Sequence, residues 1–198
     1  MVFQTRKGRA YWRCFRCALI FMDSEHLPDR QTERGVYEKH QNHLGHAGYV
    51  NFLRRILDPA LVYLHPGMRG LDYGCGPGPT LSQLLEFHGI SCENYDPLFF
   101  PSCPAGPFDF IFATECFEHF HRPMEQLQHL SLLLKPGGWL FVMTQLWDES
   151  INFTDWYYKC DPTHVSFYHR QTITYLCREY GLRLIEEQQQ RVLLLRKR

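Results

Sequence analysis

The chain of 198 residues has no excess of charge of either sign, since 21 Lys and Arg residues balance 21 Asp and Glu residues. Without a net positive field, the composition does not favour a polyanionic partner such as nucleic acid or an anionic membrane. No apolar run approaches the roughly 20 residues that span a bilayer, and no apolar segment follows the basic start in the manner of a signal peptide. We therefore expect a soluble, cytoplasmic protein of about one domain.

The eight cysteines do not indicate a disulfide framework, because nothing in the sequence directs the chain to an oxidising compartment. Only Cys14 and Cys17 have the spacing of metal ligands, and they form half of a zinc ribbon whose second half is absent. Cys160 and His164 could complete such a site, but no pattern places them nearby, so we predict no bound metal. Basic and aromatic residues over 6–16 leave one alternative open, a non-catalytic module whose N-terminal knuckle recognises RNA or a partner protein.

The character of the sequence changes near residue 66, which divides an N-terminal knuckle and helical cap (1–65) from a second domain (66–198). The stretch "GYVNFLRRILDP" predicts a helix that ends before Pro59. From residue 66 onward, short apolar runs alternate with segments of helical period, which is typical of an α/β protein with a doubly wound, mostly parallel sheet. The last two apolar segments, "LRLIEE" and "RVLLL", are joined too tightly for a crossover helix and predict an antiparallel hairpin at the sheet edge.

A glycine-rich stretch, "LDYGCGPGPT" at residues 71–80, follows the first predicted strand of this domain. Glycine adopts positive φ angles and lets a ligand lie against the backbone, and this is where open α/β sheets bind ligands. Pro79 stands where a dinucleotide-binding loop has its third glycine, and no lysine of a P-loop is present. Asp72 lies just before the loop and Asp96 at the end of the next strand, where a carboxylate can accept two ribose hydroxyls.

Four segments, "LDYGCGPGPT", "NYDP", "FDFIFATECFEHF" and "LLLKPGGWLFVMT", have an order and spacing that resemble the class I S-adenosylmethionine-dependent methyltransferases. The chain is most similar to small methyltransferases of quinone biosynthesis, which carry "EH" after the fourth strand. The resemblance covers roughly residues 66–195. It implies a Rossmann-like fold, S-adenosylmethionine as cofactor with S-adenosylhomocysteine as product, and in-line transfer of a methyl group to a small or medium-sized acceptor.

The resemblance also implies a set of cofactor-binding residues. Gly74 and Gly76 would lie under the methionine part, Gly78 would open the following helix, Asp72 would lie near the methionine end and Asp96 would hold the ribose diol. For both carboxylates, a role in capping the strand end is the alternative. The full set is Asp72, Gly74, Cys75, Gly76, Gly78, Asp96, Pro97, Thr114, Glu115 and Cys116.

The chain departs from the family pattern between Asp96 and Asp109, where only 12 residues intervene. The third strand and its helix are therefore predicted to be very short or missing. The usual adenine contact is then in doubt, and the segment 97–99 offers an apolar shelf in its place.

Methyl transfer needs alignment more than chemical machinery, because the sulfonium methyl is already activated. For a hydroxyl acceptor, a general base of near-neutral pKa helps, which makes His164 and His119 the candidate catalytic residues. The alternative for each histidine is a helix cap or a bond to a backbone carbonyl. Trp147, Trp156 and Tyr157 are predicted to form the wall of the acceptor pocket, unless their aromatic segment is a lid packed on the core.

Overall fold

The computed structural model describes residues 2–4, 8–39 and 42–198, without the side chains of Val2 and Gln4. Arg6 and Lys7 of the basic N-terminal segment lie outside the described residues. Within the described part, the α-helices are α1 (Arg30–Tyr37), α2 (Ala47–Leu61), α3 (Thr80–Glu86), α4 (Pro123–Leu133) and α5 (Arg170–Glu179). The strands are β1 (Val2–Gln4), β2 (Ala10–Arg13), β3 (Ile20–Met22), β4 (Arg69–Tyr73), β5 (Ser91–Tyr95), β6 (Phe108–Thr114), β7 (Leu134–Met143), β8 (Ser166–Phe167), β9 (Leu182–Gln188) and β10 (Val192–Lys197).

Six strands form the main sheet, in the order β5-β4-β6-β7-β10-β9. The pairs β4–β5, β4–β6 and β6–β7 are parallel, whereas β10 runs antiparallel to both β7 and β9. This confirms the predicted α/β fold and its C-terminal antiparallel hairpin. Within the described chain no helix connects β5 to β6, so the shortened third unit is also confirmed.

Helices cover both faces of the main sheet, because successive residues of its central strands point to opposite sides. Ile111 and Ala113 of β6 belong to one apolar cluster together with residues of α4 and α5. Phe110 and Phe112 of the same strand belong to a second cluster with residues of α2 and α3. All four of these β6 side chains are fully buried. The continuous apolar run of β6 thus places this strand at the centre of three layers.

The helix α2 continues through Pro59, and the prediction that it ends before this proline was wrong. A proline inside a helix costs about 3 kcal/mol through the missing N–H donor and steric conflict with the preceding turn. Ile56, Leu57 and Ala60 are buried against the sheet. Ala60 follows Pro59 and is fully buried in the same cluster, so the continued helix packs the turn after the proline against the sheet.

A second, four-stranded sheet has the order β1-β2-β3-β8 and is antiparallel throughout. Its N-terminal strands pair with β8, which lies far along the chain, and they share an apolar cluster with residues 147–167. The N-terminal segment is therefore attached to the region that follows β7. The division at residue 66 remains a prediction.

In the described parts of the chain, none of the helices is long and apolar enough to cross a membrane.

Candidate active site

A cavity of about 580 Å³ lies at the carboxyl ends of β4, β5 and β6. The loops after parallel strands of an α/β sheet meet at this edge, which is the usual place for ligands. Residues of α1 and α2 contribute further parts of the wall. The cavity wall contains most of the predicted cofactor residues and both predicted catalytic histidines, namely Gly74, Cys75, Gly76, Asp96, Pro97, Thr114, Glu115, Cys116, His119 and His164.

The glycine loop follows β4 and turns sharply beside the cavity. Gly74 and Gly76 have φ angles of +82° and +65°, a region that side chains disfavour. A Cβ atom on Gly74 would lie 2.7 Å from Cys116 Cβ, so the first glycine is also required for close packing. The Gly74 N–H donates to the Tyr95 carbonyl at 2.8 Å, which ties the loop to the end of β5.

The structure explains the glycine at position 78 differently from the prediction that it opens the following helix. It does not line the cavity, and α3 begins two residues later, at Thr80. A Cβ atom on Gly78 would lie 1.8 Å from the Asn42 carbonyl oxygen. A glycine at this position therefore allows the backbone at Asn42 to pack closely against the loop.

Asp96 is buried and lines the cavity, and its carboxylate is already engaged with backbone groups. Oδ2 accepts the Gly76 N–H at 3.1 Å, and Oδ1 accepts the N–H groups of Leu98 and Phe99 at 2.8 and 3.2 Å. Since a carboxylate offers about four lone-pair sites, capacity remains for a ligand hydroxyl. The Asp96 carboxylate therefore caps the strand end and also faces the cavity, so the two alternatives for this residue do not exclude each other.

Asp72 is buried behind the loop and is not part of the cavity wall, so its predicted place near the methionine end, through backbone or water, stays a prediction. As a residue of β4 itself, it faces the interior of the fold. Burial, and secondarily the charge of Asp96, raises the pKa of Asp72 to about 7. This carboxyl therefore holds its proton well above the pH at which an exposed aspartate releases it.

The raised pKa of Asp72 predicts a pH-dependent stability. An unfolded aspartate titrates near pKa 3.9, so between about pH 4 and pH 7 the folded state retains a proton that the unfolded state has lost. Stability consequently falls as the pH rises through this window. Asp72→Asn, which stays neutral, should be more stable than the wild type by about 1–3 kcal/mol at pH 8 and by little at pH 4.5.

Urea unfolding of both proteins at the two pH values measures this difference. The exposed Asp58→Asn is the matched control for replacing an aspartate by asparagine. An Asp72→Asn protein with the same pH dependence as the wild type would contradict the assignment.

Glu115 follows β6 directly and carries a strained backbone, with a φ angle of +47°. Its N–H donates to the Met143 carbonyl at 2.7 Å, which holds the strained turn in place. Burial, and next the charge of Glu118, raises the pKa of Glu115 to about 8. Its Oε1 atom is buried and has no hydrogen-bond partner among the described residues. A buried acceptor without a hydrogen-bond partner is unusual, and the Arg191 guanidinium lies 3.9 Å from this oxygen.

His119 and His164 face each other across the cavity wall, with ring centroids 4.8 Å apart. Nδ1 of His119 lies 2.9 Å from the Thr163 carbonyl oxygen, and Nδ1 of His164 lies 2.6 Å from that of Tyr158. A carbonyl oxygen can only accept, so each Nδ1 carries a proton and Nε2 has the free lone pair in the neutral ring. Burial lowers the pKa of His164, which favours that neutral form.

Asp161 lies near His164 in the chain but does not orient its ring through a hydrogen bond. Its Oδ2 is 4.0 Å from His164 Nε2, beyond hydrogen-bonding distance, and its Oδ1 accepts the Thr163 N–H at 2.8 Å. The backbone carbonyl of Tyr158 takes the orienting role instead.

The predicted wall of Trp147, Trp156 and Tyr157 does not contact the cavity, and this prediction was wrong. Trp147 and Trp156 are buried in the apolar cluster beneath the four-stranded sheet. Tyr157 is 66% exposed to solvent. The aromatic segment therefore behaves as packing, because the four-stranded sheet offers the apolar face that these rings need to bury.

One buried carboxylate near the histidines, that of Glu118, was not predicted from the sequence. Glu118 is completely buried, and its two carboxylate oxygens accept hydrogen bonds from Tyr158 OH at 2.6 Å and Thr144 Oγ1 at 2.8 Å. The only sequence signal was the carboxylate beside His119 in "ECFEHF". Three residues of α1 that were not predicted individually also line the cavity, namely Arg30, Glu33 and Tyr37. His121 Nε2 lies 2.9 Å from Glu33 Oε1.

Cys14 and Cys17 lie in the turn between β2 and β3. Among the described residues, the groups of three or more potential metal ligands do not include either cysteine.

Residues 42–187 match the family model described as a methyltransferase domain. A ubiquinone biosynthesis O-methyltransferase of Caulobacter vibrioides is 39% identical over 80 residues, which is 40% of this chain. The matched part spans 25% of that relative's length.

Solved structures share the fold at low sequence identity. A 1,6-didemethyltoxoflavin-N1-methyltransferase of Burkholderia thailandensis, solved with its substrate and S-adenosylhomocysteine, superposes with a TM-score of 0.60 at 15% identity, covering 99% of this chain and 98% of the other. A chain from the complex of the Haloferax volcanii activator Trm112 with a methyltransferase has a TM-score of 0.59 at 12% identity, covering 83% and 96%.

The family model matches well over half of the chain, and the fold and the placement of the glycine loop agree with it. The chain therefore belongs to the S-adenosylmethionine-dependent methyltransferase family.

Proposed function

We propose that the protein transfers the methyl group of S-adenosylmethionine to an oxygen atom of a small or medium-sized acceptor. The observation that carries this proposal is a single cavity in which the glycine loop and Asp96 share a wall with His119 and His164. The former pair suits the cofactor, and the latter suits an acceptor that must lose a proton. The Caulobacter relative is an O-methyltransferase by name, which favours oxygen as the methylated atom.

The cofactor fits the part of the cavity formed by the glycine loop. Gly76 presents an almost open surface, since among the described residues an added Cβ atom would have only Asn42 Nδ2 nearby, at 3.9 Å. We assign the methionine part of the cofactor to this surface and the ribose diol to the remaining lone pairs of Asp96. Pro97 and Leu98, which line the cavity beyond Asp96, then form an apolar contact for the adenine ring.

In the transfer step, a lone pair of the acceptor oxygen forms the new O–CH₃ bond as the S–CH₃ bond breaks. The sulfur keeps that bonding pair and becomes a neutral thioether. The acceptor proton passes to an imidazole, and His164 is the best placed, because its Nε2 is unprotonated and the burial that lowers its pKa keeps it so. Reaction requires the oxygen and the methyl carbon to be aligned at ~3–3.5 Å.

The alternative of a non-catalytic module that binds RNA through the N-terminal segment is not favoured. Arg13 stacks over the Trp147 ring at 4.5 Å and lies 3.6 Å from Glu149 Oε1. Arg16 lies over the Tyr175 ring at 5.5 Å. These arginines are used within the fold, whereas the cavity suits a small ligand.

Calorimetry with S-adenosylhomocysteine, followed by turnover with labelled S-adenosylmethionine, tests the proposal. The acceptor panel should contain phenols and catechols beside amines and carboxylates of matched size. Label transfer to the hydroxyl compounds supports the proposal. Binding of S-adenosylhomocysteine with transfer only to amines would contradict oxygen as the methylated atom, and absence of binding would contradict the cofactor site.

Replacement of Asp96 by alanine should weaken S-adenosylhomocysteine binding at least tenfold. Hydrogen bonds to a charged group contribute about 1.5–3 kcal/mol, and tenfold corresponds to about 1.4 kcal/mol. Asp148→Ala is the matched control, because Asp148 also accepts a nearby backbone N–H, from Ser150 at 2.9 Å, but lies outside this cavity. Calorimetry should show reduced affinity in the first variant alone, and unchanged affinity in Asp96→Ala would remove its proposed role.

A further inference from the structure

Three side chains with the chemistry of metal ligands lie close together: His119 and His164 line the cavity, and Glu118 is buried beside them. One ligand atom of each lies within 4.8 Å of those of the other two. Ligands bound at about 2.1 Å to one tetrahedral ion are about 3.4 Å apart. Small side-chain rotations would therefore bring all three onto a single ion.

Both imidazoles are held in the manner of metal-binding histidines. Their Nδ1–H groups donate to the carbonyls of Thr163 and Tyr158, at 2.9 and 2.6 Å. Such a bond fixes the tautomer and the ring orientation, and it leaves the Nε2 lone pair for a ligand. A structural bond to a backbone carbonyl would explain either histidine alone. It does not explain why two histidines in this orientation lie beside one buried carboxylate.

Further oxygen atoms lie near the two imidazoles. Glu118 is completely buried, and its oxygens retain lone pairs beyond those used by Tyr158 and Thr144. Glu115 Oε1 is buried without a hydrogen-bond partner among the described residues. Asp161 Oδ2 lies 4.0 Å from His164 Nε2, whereas the guanidinium of Arg191 lies 3.9 Å from Glu115 Oε1. These carboxyl groups thus supply oxygen atoms near the two imidazoles, with the Arg191 guanidinium beside one of them.

We propose that Glu118, His119 and His164 bind a divalent transition-metal ion beside the cofactor site. This revises the prediction of no metal, which rested on cysteine spacing. Two imidazoles and one carboxylate suit Zn²⁺ and similar ions, and three protein ligands leave a coordination position for another group. The catalytic use of the ion rests on the proposed function, since it would then polarise an acceptor oxygen in place of direct proton transfer to His164.

Titration of the chelator-treated, full-length protein with Co²⁺ tests the site, because a bound Co²⁺ ion absorbs visible light. We expect one equivalent to bind and to give a spectrum typical of nitrogen and oxygen ligands. The variant His119→Ala/His164→Ala should bind Co²⁺ at least tenfold more weakly. Cys14→Ser/Cys17→Ser is the matched control and should keep the wild-type spectrum.

Equal Co²⁺ binding by the histidine variant, loss of the signal in the cysteine variant, or no binding at submillimolar Co²⁺ would each overturn the proposal. Calorimetry with S-adenosylhomocysteine on the same samples reports folding and the cofactor site independently. Binding of S-adenosylhomocysteine without Co²⁺ binding would reject the ion and leave the proposed function standing. If the double variant does not fold, His119→Gln takes its place. Weaker Co²⁺ binding by His119→Gln would support the proposal, and binding equal to that of the wild type would overturn it.

Discussion

His164→Ala should lower methyl transfer by about 10²–10⁴-fold, the range expected when a group that acts on the transferred proton is lost. Its affinity for S-adenosylhomocysteine should stay close to that of the wild type, because the proposed cofactor contacts lie at the glycine loop and Asp96. The same loss is expected whether the imidazole takes the proton itself or acts through an ion held with His119.

A turnover assay with saturating S-adenosylmethionine, paired with calorimetry, separates the two quantities. The exposed His88→Ala is the control for removing a histidine, and it should change neither of them. If His164→Ala retained full turnover on the acceptor, the histidine would be reduced to the structural bond that it makes with the Tyr158 carbonyl.

Gly76→Val should abolish measurable S-adenosylhomocysteine binding. A β-branched residue resists the φ angle of +65°, and its side chain would extend into the open surface where the cofactor is proposed to lie. Backbone strain and loss of ligand space can be separated, because other glycines with positive φ angles lie outside the cavity wall.

Gly67→Val is the matched control for this strain. Gly67 has a φ angle of +92°, and an added Cβ atom would meet nothing within 4 Å in the part of the chain that the structure describes. Thermal unfolding should show both variants destabilised, whereas calorimetry should show lost binding only in Gly76→Val. Retained affinity in Gly76→Val would mean that the glycine serves the turn and not the ligand.

The sequence by itself determined the architecture, because period and spacing are local properties that survive folding. The continuous apolar run of β6 required burial on both faces, and the short connection before β10 required an antiparallel hairpin. The 12 residues between Asp96 and Asp109 left no room for a complete third unit. The glycine loop and the end of β5 were likewise placed together, since parallel strands end at one edge of the sheet.

Only the tertiary structure decided the contacts between residues far apart in the chain. Trp147 and Trp156 had the composition of a pocket wall, but the N-terminal strands supply an apolar face that buries them away from the cavity. Gly78 is required by the distant Asn42 carbonyl, which no local pattern reveals. Glu118 and His119 lie far from His164 in the chain, and hydrogen bonds to backbone carbonyls orient the two imidazoles. The distances between these three side chains follow from the whole fold, so no local sequence pattern predicts them.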